Sequence, residues 1–486
     1  MADVVIGVDL GTSACKALAF TATGRRVAAA RAPYATRIVG DQSTQRPADW
    51  LGAVRDCLGA VARQLTDDRV AGIGLSGQIG THLLTDAAVC PLGDAVTWQD
   101  GRSGAYVARV QAGLGGDWLA RELDTWLPPS GVWPLPRLAW FEAEYPGQVE
   151  RARYLLGAKD YVIWWLTGRV VSDPSSWRGL ARSDGTVVTA ALARLGLPDL
   201  APPLAGPSAV AGGLGPEAAA ATGLARGTPV VVGLSDLNAA LIGIGAMATG
   251  TMFDVGGTSE HLGGITGQAA GGDRVATVPL PAVDTSRYAV YGVTSNAGSV
   301  ITWLRQLLSL DGDALFAAAG QSQPGARGLL CVPYLHGERA PLWDARARGG
   351  FVGLTSGHAA GDFARAALEG IACNLRAIRA LLPATLDGPV RTTGGTAGNP
   401  AWNLIKASVL NTPLVQPREP EAASLGAAIL AAAGTGLTAD VEAGSQAMVA
   451  TAGRTDPDPA LVAAYDDLYP RYERAAALVR DLRSDE

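Results

Sequence analysis

The sequence predicts an α/β protein of two lobes, each with a mixed β-sheet core and flanking helices, and with a ligand cleft between the lobes. A short pattern occurs twice, as Val-Asp-Leu-Gly-Thr-Ser at residues 8–13 and as Phe-Asp-Val-Gly-Gly-Thr-Ser at residues 253–259. The chain of 486 residues also exceeds what one hydrophobic core usually supports. Its first elements follow the order strand, strand, strand, helix, strand, which is typical of a mixed sheet with crossover connections.

The elements of the first lobe are predicted from apolar runs and from the turn residues between them. In the predicted helix at residues 47–65, Trp50, Val54, Leu58 and Val61 fall on one face at helical spacing. A mostly helical segment at residues 101–203 and a helix at residues 238–247 complete the lobe. The strands are expected at residues 4–9, 15–21, 26–32, 70–75, 95–98 and 228–233.

We place the lobe boundary near residues 245–250, where an Ala-Thr-Gly stretch separates a helix from a strand. The predicted domains are therefore an N-terminal lobe of residues 1–247 and a C-terminal lobe of residues 248–486, which ends in a helix. Residues 422–433 are apolar but short and rich in Ala and Gly, so they predict a buried helix rather than a membrane span. The other expected elements are strands at residues 251–255, 260–264, 288–293 and 389–393, and helices at residues 299–308, 363–382 and 400–410.

The composition argues against several functional classes. A net charge of −6 gives no electrostatic basis for binding nucleic acid or an anionic membrane. The five cysteines form no CxxC pair and the four histidines lack metal-ligand spacing, so we expect reduced thiols in the cytoplasm and no zinc site. No basic segment precedes the first strand, and a signal peptide is therefore not expected.

The two repeated turns are candidate phosphate-binding loops. Glycine lets the backbone approach a ligand closely, and successive N–H groups with Thr and Ser hydroxyls can hold phosphate oxygens. One such turn is also an ordinary tight turn, but two copies at equivalent places favour a nucleotide site. Asp9, at the end of the first strand, can hold Mg²⁺ through water or can cap the turn. The loop residues are Gly11, Thr12, Ser13, Gly257, Thr258 and Ser259.

Asp236, between a predicted strand and a predicted helix, is the candidate catalytic base. Carboxyl ends of strands are where α/β proteins bind ligands. A carboxylate there can accept the proton of an attacking hydroxyl, because phosphoryl transfer has a loose transition state and depends chiefly on positioning. A simple N-cap of the following helix is equally compatible with the sequence.

Two further segments carry groups suited to small ligands. Trp98, Asp100 and Arg102, with Gln78, combine an apolar ring with the hydrogen-bonding groups that polyol recognition needs, although a capped strand end gives the same pattern. The Gly-Gly pair at residues 394–395 follows a predicted strand, where a flat base can lie against the backbone.

Other patterns are less informative. Residues 72–77 fit GxGxxG, but the first glycines lie inside a predicted strand and no helix with an acidic partner follows, so we assign no dinucleotide site. Residues 336–339 (His-Gly-Glu-Arg) are better explained by a charged pair that fixes a loop than by acid–base chemistry. No GxxxxGK[ST] pattern occurs, which argues against a P-loop enzyme.

Taken together, these segments resemble the FGGY carbohydrate kinases, a family of the actin-like, sugar-kinase and heat-shock ATPase fold, and are most similar to its xylulokinase branch. The resemblance extends over residues 6–436. Each motif alone is moderately specific, whereas their order and spacing together are strong evidence. The matching segments are residues 7–13, 73–78, 98–103, 159–161, 166–168, 333–341, 367–372, 394–395 and 424–428, with Asp236.

The resemblance implies ATP and Mg²⁺ as cofactors and gives each matching residue a role. Asp236 matches the catalytic base, and Asp9 matches the acidic residue near Mg²⁺ and the γ-phosphate. Dimers are common in the family, and no nucleic-acid or membrane partner is implied. The residues implied to bind the nucleotide are the two loops with Lys16, Gly394, Gly395 and Asn399. The residues implied at the sugar site are Gln78, Ile79, Trp98, Asp100, Arg102 and Asp236.

One departure from the family concerns the sugar site. Xylulokinases usually read Ser-Gly-Gln-Met-His-Gly, whereas this chain has Ile79 and Gly80 in place of the Met-His pair and a histidine, His82, two positions later. Loss of such a hydrogen-bonding partner costs ~1–3 kcal/mol. We expect ATP-dependent phosphorylation of a sugar hydroxyl, with a ketopentose such as D-xylulose as the leading substrate. Another ketose, a polyol or a sugar acid is an alternative substrate, and a non-catalytic nucleotide-binding regulator is an alternative function.

Overall fold

The computed structural model describes residues 3–65, 68–115, 118–123, 127–128, 130–269, 274–280 and 284–481. Within those ranges, no helix has both the length and the apolar character needed to span a bilayer. Residues 116–117, 124–126 and 129, part of the segment predicted to be mostly helical, lie outside them.

The described elements alternate between strands and helices along most of the chain. The strands are β1 (Asp3–Leu10), β2 (Ala14–Thr21), β3 (Arg26–Pro33), β4 (Arg37–Val39), β5 (Gln42–Gln45), β6 (Arg69–Gly77), β7 (Leu83–Thr85), β8 (Ala95–Val96), β9 (Tyr154–Leu156), β10 (Val210–Gly213), β11 (Pro229–Val231), β12 (Leu234–Ser235), β13 (Met252–Gly256), β14 (Glu260–Thr266), β15 (Ala276–Leu280), β16 (Asp284–Thr294), β17 (Leu330–Val332), β18 (Gly350–Val352), β19 (Val390–Gly394), β20 (Leu414–Pro417) and β21 (Thr451–Thr455). The helices are α1 (Pro47–Gln64), α2 (Val107–Leu114), α3 (Trp118–Leu123), α4 (Pro134–Glu144), α5 (Pro146–Arg151), α6 (Ala158–Thr167), α7 (Thr189–Leu195), α8 (Pro216–Thr222), α9 (Asp236–Gly243), α10 (Gly298–Leu308), α11 (Ala314–Gly320), α12 (Ala360–Arg379), α13 (Pro400–Leu410), α14 (Ala422–Gly434), α15 (Val441–Met448) and α16 (Pro459–Asp481), with short 3₁₀ turns at Arg102–Tyr106 and Ala326–Gly328.

The chain forms two compact units, neither of which is continuous in sequence. One junction lies between Met247 and Ala248, but two later segments return to the first unit, and one of these contains α14. The division into domains of residues 1–247 and 248–486 stays a prediction. The first unit comprises Met1–Met247, Val278–Tyr288 and Glu421–Val449, and the second comprises Ala248–Thr277, Ala289–Pro420 and Ala450–Glu486.

The first unit is built on a mixed sheet in the order β10-β11-β6-β1-β2-β3, with β12 also paired to β6. Strand β1 is antiparallel to β2 and parallel to β6, as expected for a mixed α/β sheet. The predicted apolar face of α1 is confirmed, because Trp50, Val54, Leu58 and Val61 are fully buried in the core beside this sheet.

Helix α14 contacts β1, β6 and α9 at an unusually short separation. A Cβ atom at Gly7 of β1 would lie 1.8 Å from the carbonyl oxygen of Ser424, and one at Gly426 would lie 1.8 Å from that of Ala239 in α9. Only glycine fits where two backbones approach so closely. The buried helix predicted from the Ala and Gly content is therefore confirmed, and it holds β1 and α9 in a fixed relation.

The second unit repeats the opening of the first. Its sheet has the order β15-β16-β14-β13-β19-β20-β21, in which β13 is antiparallel to β14 and parallel to β19. Side chains of α10, α11, α12, α13 and α16 share one hydrophobic core in this unit. The duplicated strand–turn–strand pattern therefore has the same local structure in both copies.

Several predicted elements differ in extent from those observed, and two of these border predicted site residues. The strand expected at residues 95–98 is only Ala95–Val96, because Thr97 begins a turn in which its carbonyl oxygen accepts from the Asp100 N–H at 3.1 Å. The helix expected at residues 238–247 starts earlier, at Asp236, and ends at Gly243. Gly245, with φ of 71°, stops that helix in the left-handed conformation that glycine adopts without strain.

Candidate active site

Asp236 is the first residue of α9 and directly follows β12. The N-cap position belongs to Ser235, so the interpretation of Asp236 as the N-cap is wrong by one residue. One carboxylate oxygen of Asp236 accepts the Leu237 N–H at 2.8 Å. Because β12 pairs in parallel with β6, the carboxylate lies at the carboxyl edge of the first sheet, where α/β proteins place their ligands.

The environment of Asp236 makes it a stronger base than an ordinary aspartate. Burial, and to a lesser degree the charge of Asp9, raise the pKa of Asp236 to about 6, against the lowering effects of the Leu237 N–H and of Arg178. A carboxyl of this pKa is mostly ionised at neutral pH but holds a proton more tightly than an exposed aspartate does. These are the properties required of a general base.

Asp9 lies at the end of β1, half-buried and opposite Ser76 of β6. The Ser76 hydroxyl donates to Asp9 Oδ1 at 2.7 Å. Burial raises the pKa of Asp9; Ser76 and Lys16 oppose this effect, and Glu421 adds to it. Lys16 pairs with Glu421 at 2.5 Å, with both side chains about one-third exposed.

The electrostatic coupling of Asp9 with Asp236 and with Glu421 indicates a region of negative charge. Hard oxygen donors of this type suit Mg²⁺. In the part of the chain that the structure describes, no cluster of three or more His, Cys, Asp or Glu side chains forms a ready-made metal cage. This donor set fits an ion that arrives with phosphate and water ligands, as Mg²⁺ usually does.

The first candidate phosphate loop is braced by its neighbours. The Gly11 N–H donates to the Ala14 carbonyl oxygen at 3.1 Å and closes the turn between β1 and β2. The Thr12 carbonyl oxygen accepts from Gln45 Nε2 at 2.6 Å. The indole N–H of Trp98 donates to Thr12 Oγ1 at 3.0 Å, and this bond joins a predicted sugar-site residue to the loop. Ser13, next in the turn, is exposed.

The polar residues predicted at the sugar site form hydrogen bonds or ion pairs within the protein. Asp100 is buried, accepts the Ser43 N–H at 2.8 Å and pairs with Arg102 at 2.7 Å. Gln78 Nε2 donates to Gln45 Oε1 at 2.8 Å. Asp100 and Arg102 therefore have a structural partnership in addition to any contact with a ligand, and their roles in binding stay predictions.

A small pocket is lined by residues 77–82, 157–160 and 176–177. Gly80 has φ of 75°, and a Cβ atom there would lie 2.9 Å from Val132 Cβ. The position therefore excludes a histidine side chain. His82 does not replace it as a charged group, because burial lowers its pKa to about 3 and Arg137 contributes in the same direction.

A buried network beside this pocket was not identified from the sequence. Lys159 pairs with Asp160 at 2.8 Å and with Asp173 at 3.0 Å. Asp173 accepts from the Ser175 N–H at 2.8 Å, and the Ser235 N–H donates to Ser175 Oγ at 3.3 Å. Through Ser235 the network reaches the residue before Asp236. The motif containing Lys159 was visible, but no local signal connects it to residues 173–175.

In the second unit, the loop at residues 257–259 joins β13 to β14 and is largely exposed. The Gly257 N–H donates to the Ser259 carbonyl oxygen at 2.7 Å. The start of α10 holds the loop from outside, because the Ser299 N–H donates to the Thr258 carbonyl oxygen at 3.1 Å. The loop is a tight turn, and a Cβ atom at Gly257 would meet no side chain of the described residues within 4 Å.

The predicted adenine-side segment also lies in the second unit. A Cβ atom at Gly394 would lie 1.9 Å from the Gly256 carbonyl oxygen, so this position requires glycine. At Gly395, by contrast, a Cβ atom would meet open space. Asn399 is the N-cap of α13, where its side chain accepts the Trp402 N–H at 3.0 Å.

Comparison with known protein families decides the class of this site. Residues 4–243 match the N-terminal domain of the FGGY family of carbohydrate kinases, and residues 253–435 match its C-terminal domain. The chain belongs to the FGGY family of carbohydrate kinases. The resemblance seen in the sequence is thereby confirmed, and a kinase of this family uses ATP as its phosphoryl donor.

Relatives of this FGGY kinase carry more than one substrate name. A gluconokinase of Bacillus licheniformis is 30% identical over 457 residues, which cover 90% of this chain and 88% of that protein. A xylulose kinase of Lactococcus lactis subsp. lactis is 28% identical over 482 residues, covering 96% and 95%. The crystal structure of a xylulose kinase from Lactobacillus acidophilus matches with a TM-score of 0.89 at 26% identity, covering 99% of both chains. These likenesses confirm the kinase fold and leave the sugar open.

The patterns set aside in the sequence of this FGGY kinase have structural roles. Glu338 accepts hydrogen bonds from Thr294 Oγ1, the Ser295 N–H and Asn374 Nδ2 at 2.8, 2.8 and 3.0 Å. Its carboxylate therefore fixes the loop at residues 336–339. The GxGxxG glycines lie within β6, where Gly74 packs against α14.

Proposed function

We propose that this kinase transfers the γ-phosphoryl group of ATP to a hydroxyl of a small sugar, with Asp236 as the general base. The observation that carries the proposal is the position of Asp236 at the start of α9, beside Asp9, with its pKa raised to about 6. Positioning contributes most to phosphoryl transfer, and a base that accepts the proton late is sufficient.

In this proposal the substrate hydroxyl donates a hydrogen bond to the free carboxylate oxygen of Asp236. The other oxygen is held by the Leu237 N–H, which fixes the carboxylate. Proton transfer to Asp236 then accompanies formation of the new P–O bond. The Lys159 network fixes the strand end before Asp236 through Ser235.

The nucleotide binds through both loops. The Gly11 and Gly257 N–H groups close their own turns, so the N–H groups and hydroxyls of residues 12–13 and 258–259 contact the phosphate oxygens. Lys16 leaves its ion pair with Glu421 and binds a phosphate. Residues 394–395 and Asn399 lie on the adenine side. Asp9 would hold Mg²⁺ through water, and the bound ion supplies positive charge that balances the phosphate oxygens.

The leading substrate is a neutral ketopentose such as D-xylulose. The reacting end of the site contains the carboxylates of Asp9 and Asp236, which repel a negatively charged sugar. The pocket lysine, Lys159, is neutralised by Asp160 and Asp173 and is not directed at a ligand. The similarity to xylulose kinases supports the same choice.

A sugar acid such as gluconate is the second candidate. The guanidinium of Arg137 is fully buried near the pocket, and its Nη2 donates to the Thr97 and Gly80 carbonyl oxygens at 3.0 and 3.4 Å. Nη1 of Arg137 forms a long ion pair with Asp100 Oδ1 at 3.8 Å, but among the described residues neither Nη1 nor Nε has a hydrogen-bond partner. A carboxylate would satisfy these donors, and a relative at 30% identity is a gluconokinase.

A coupled assay of ADP release tests the proposal and separates the candidates. Mg-ATP is supplied with D-xylulose, other pentuloses, polyols including erythritol, aldoses and D-gluconate, and Asp236→Asn serves as the inactive control. We expect the highest kcat/KM with D-xylulose. A higher value with D-gluconate would replace the ketopentose with a sugar acid. A flat panel with normal ATP binding would favour a non-catalytic regulator.

A further inference from the structure

Lys406 is a fully buried ammonium in the second unit. Its Nζ forms ion pairs with Asp254 and, at 2.9 Å, with Glu260, and lies 3.4 Å from Thr392 Oγ1. The Thr392 hydroxyl donates to Asp254 Oδ2 at 2.8 Å. Each of these four residues is at most 2% exposed. We call these four residues the Lys406 cluster; groups buried so deeply persist only when they are paired.

Two members of the cluster lie on opposite sides of the second candidate phosphate loop. Asp254 is on β13, shortly before the loop at residues 257–259, and Glu260 begins β14 immediately after it. Both carboxylates bind the same ammonium. Lys406 therefore fastens the two strands at the point from which the loop projects.

The other two members of the cluster lie on the two elements that flank the predicted adenine-side segment. Thr392 is on β19, two residues before Gly394, and Lys406 is on α13, whose N-cap is Asn399. One ammonium thus joins the supports of the phosphate loop, the Gly-Gly segment and the helix that starts at Asn399. Elements fixed by one buried ion cluster keep their relative positions with little freedom.

The first copy of the duplicated motif provides an internal comparison. Asp9 and Asp254 occupy the same register position, and each accepts a hydroxyl from the neighbouring parallel strand, from Ser76 at 2.7 Å and from Thr392 at 2.8 Å. Asp254 is also neutralised by Lys406 in the core, whereas Asp9 is half-buried beside the base Asp236. The second aspartate is therefore committed to the scaffold.

We propose that Lys406 is a positioning residue for the nucleotide, which sets the phosphate loop, the Gly-Gly segment and the start of α13 in their binding geometry through Asp254, Glu260 and Thr392. This inference rests on the proposed nucleotide role of those segments. Lys406 itself is buried and acts only through the residues that it holds.

The charge of the cluster gives a second readout. Burial and the Asp254 carboxylate raise the pKa of Glu260 to about 8, against the opposing effect of Lys406. The titratable groups that face Glu260 are Asp254 from β13 and Lys406 from α13, while β19 presents the Thr392 hydroxyl. Glu260 therefore gains its full negative charge only above about pH 8, beneath the loop proposed to bind phosphate.

The test uses Lys406→Met and a control, Arg365→Met, in the full chain. Both substitutions remove a buried cation of the second unit, but Arg365 pairs with Glu369 within α12, which contributes none of the predicted site residues. Calorimetric titration with Mg-ADP should show binding weakened about tenfold or more in Lys406→Met and unchanged in Arg365→Met. Equal binding by wild type and folded Lys406→Met would overturn the proposal. A wild type that does not bind Mg-ADP would instead overturn the proposed function.

If Lys406→Met does not fold, the double variant Asp254→Asn/Lys406→Met takes its place. It removes the ammonium together with one carboxylate, and the new amide oxygen still accepts the Thr392 hydroxyl. The folded double variant should bind Mg-ADP more weakly than wild type does, and an affinity equal to that of wild type would contradict the proposal. In wild type, the Kd for Mg-ADP should rise as the pH passes about 8, and Glu260→Gln should remove that rise. A Kd that does not change across this range in wild type would also count against the assignment.

Discussion

Replacing Gly426 by alanine tests whether α14 positions the catalytic base. A Cβ atom at this position would lie 1.8 Å from the Ala239 carbonyl oxygen, whereas ordinary contacts begin at 3.4 Å. Helices α14 and α9 must therefore separate by about 1.6 Å, an overpacking that typically costs ~1–3 kcal/mol. Because Ala239 is one helical turn from Asp236, the base moves with it, and a shift of about 1 Å can reduce kcat about 100-fold.

Thermal unfolding and the coupled kinase assay measure the two effects in Gly426→Ala. A loss of ~3 kcal/mol corresponds to a Tm about 3–5 °C lower, because the unfolding entropy of a chain of this length is large. Gly52→Ala is the matched control, because Gly52 lies in α1 and a Cβ atom there meets nothing within 4 Å. That variant should gain ~0.5–1 kcal/mol of unfolding free energy and keep its turnover. If Gly426→Ala kept the Tm and kcat of wild type, the packing of α14 against α9 would not position Asp236.

Four further outcomes are expected. Because the pKa of Asp236 is raised to about 6, kcat/KM should increase as the pH rises through 6 and then level off, which a pH–rate profile checks. The same raised pKa favours the protonated folded form, so its stabilising contribution is present below about pH 4 and is lost as the pH rises through 6. Asn399→Ala removes the side-chain acceptor of the Trp402 N–H and should cost ~1 kcal/mol of unfolding free energy, seen in denaturant titration. Trp98→Phe removes the hydrogen bond to Thr12 and should cost ~0.5–1.5 kcal/mol of binding free energy for ATP, read from calorimetry; unchanged affinity would contradict the role of that bond.

The parts of the site that were predictable from the sequence are local in the chain. The two glycine loops and Asp236 are each recognisable from a strand, a turn or helix start, and one chemically distinctive residue. Short-range patterns of this kind are set by backbone geometry and need no tertiary information. The order of these motifs was sufficient to predict the fold, which the family and structural matches confirm.

The remaining parts depend on contacts between distant residues. The pairing of Lys16 with Glu421 joins residues 405 positions apart, and Lys406 with Asp254 joins residues 152 positions apart. A single sequence contains no periodicity that reports such contacts. The return of α14 to the first unit was missed for the same reason, because its Ala and Gly content predicts burial but not the surface against which it packs.

At position 80 the sequence shows a substitution but not its structural consequence. The sequence shows that Gly80 stands where relatives in the xylulokinase branch have histidine. Only the structure shows that Val132 occupies the adjacent space and that φ at Gly80 is positive. A histidine restored at position 80 alone would therefore clash with Val132.

The proposed role of Asp236 as acceptor of the sugar hydroxyl proton can be tested with Asp236→Asn, because the amide oxygen can still accept the Leu237 N–H while the basic carboxylate is lost. With the preferred sugar, kcat should fall ~10²–10⁴-fold while calorimetric binding of Mg-ADP is unchanged. Near-normal turnover in this variant would remove Asp236 as the base.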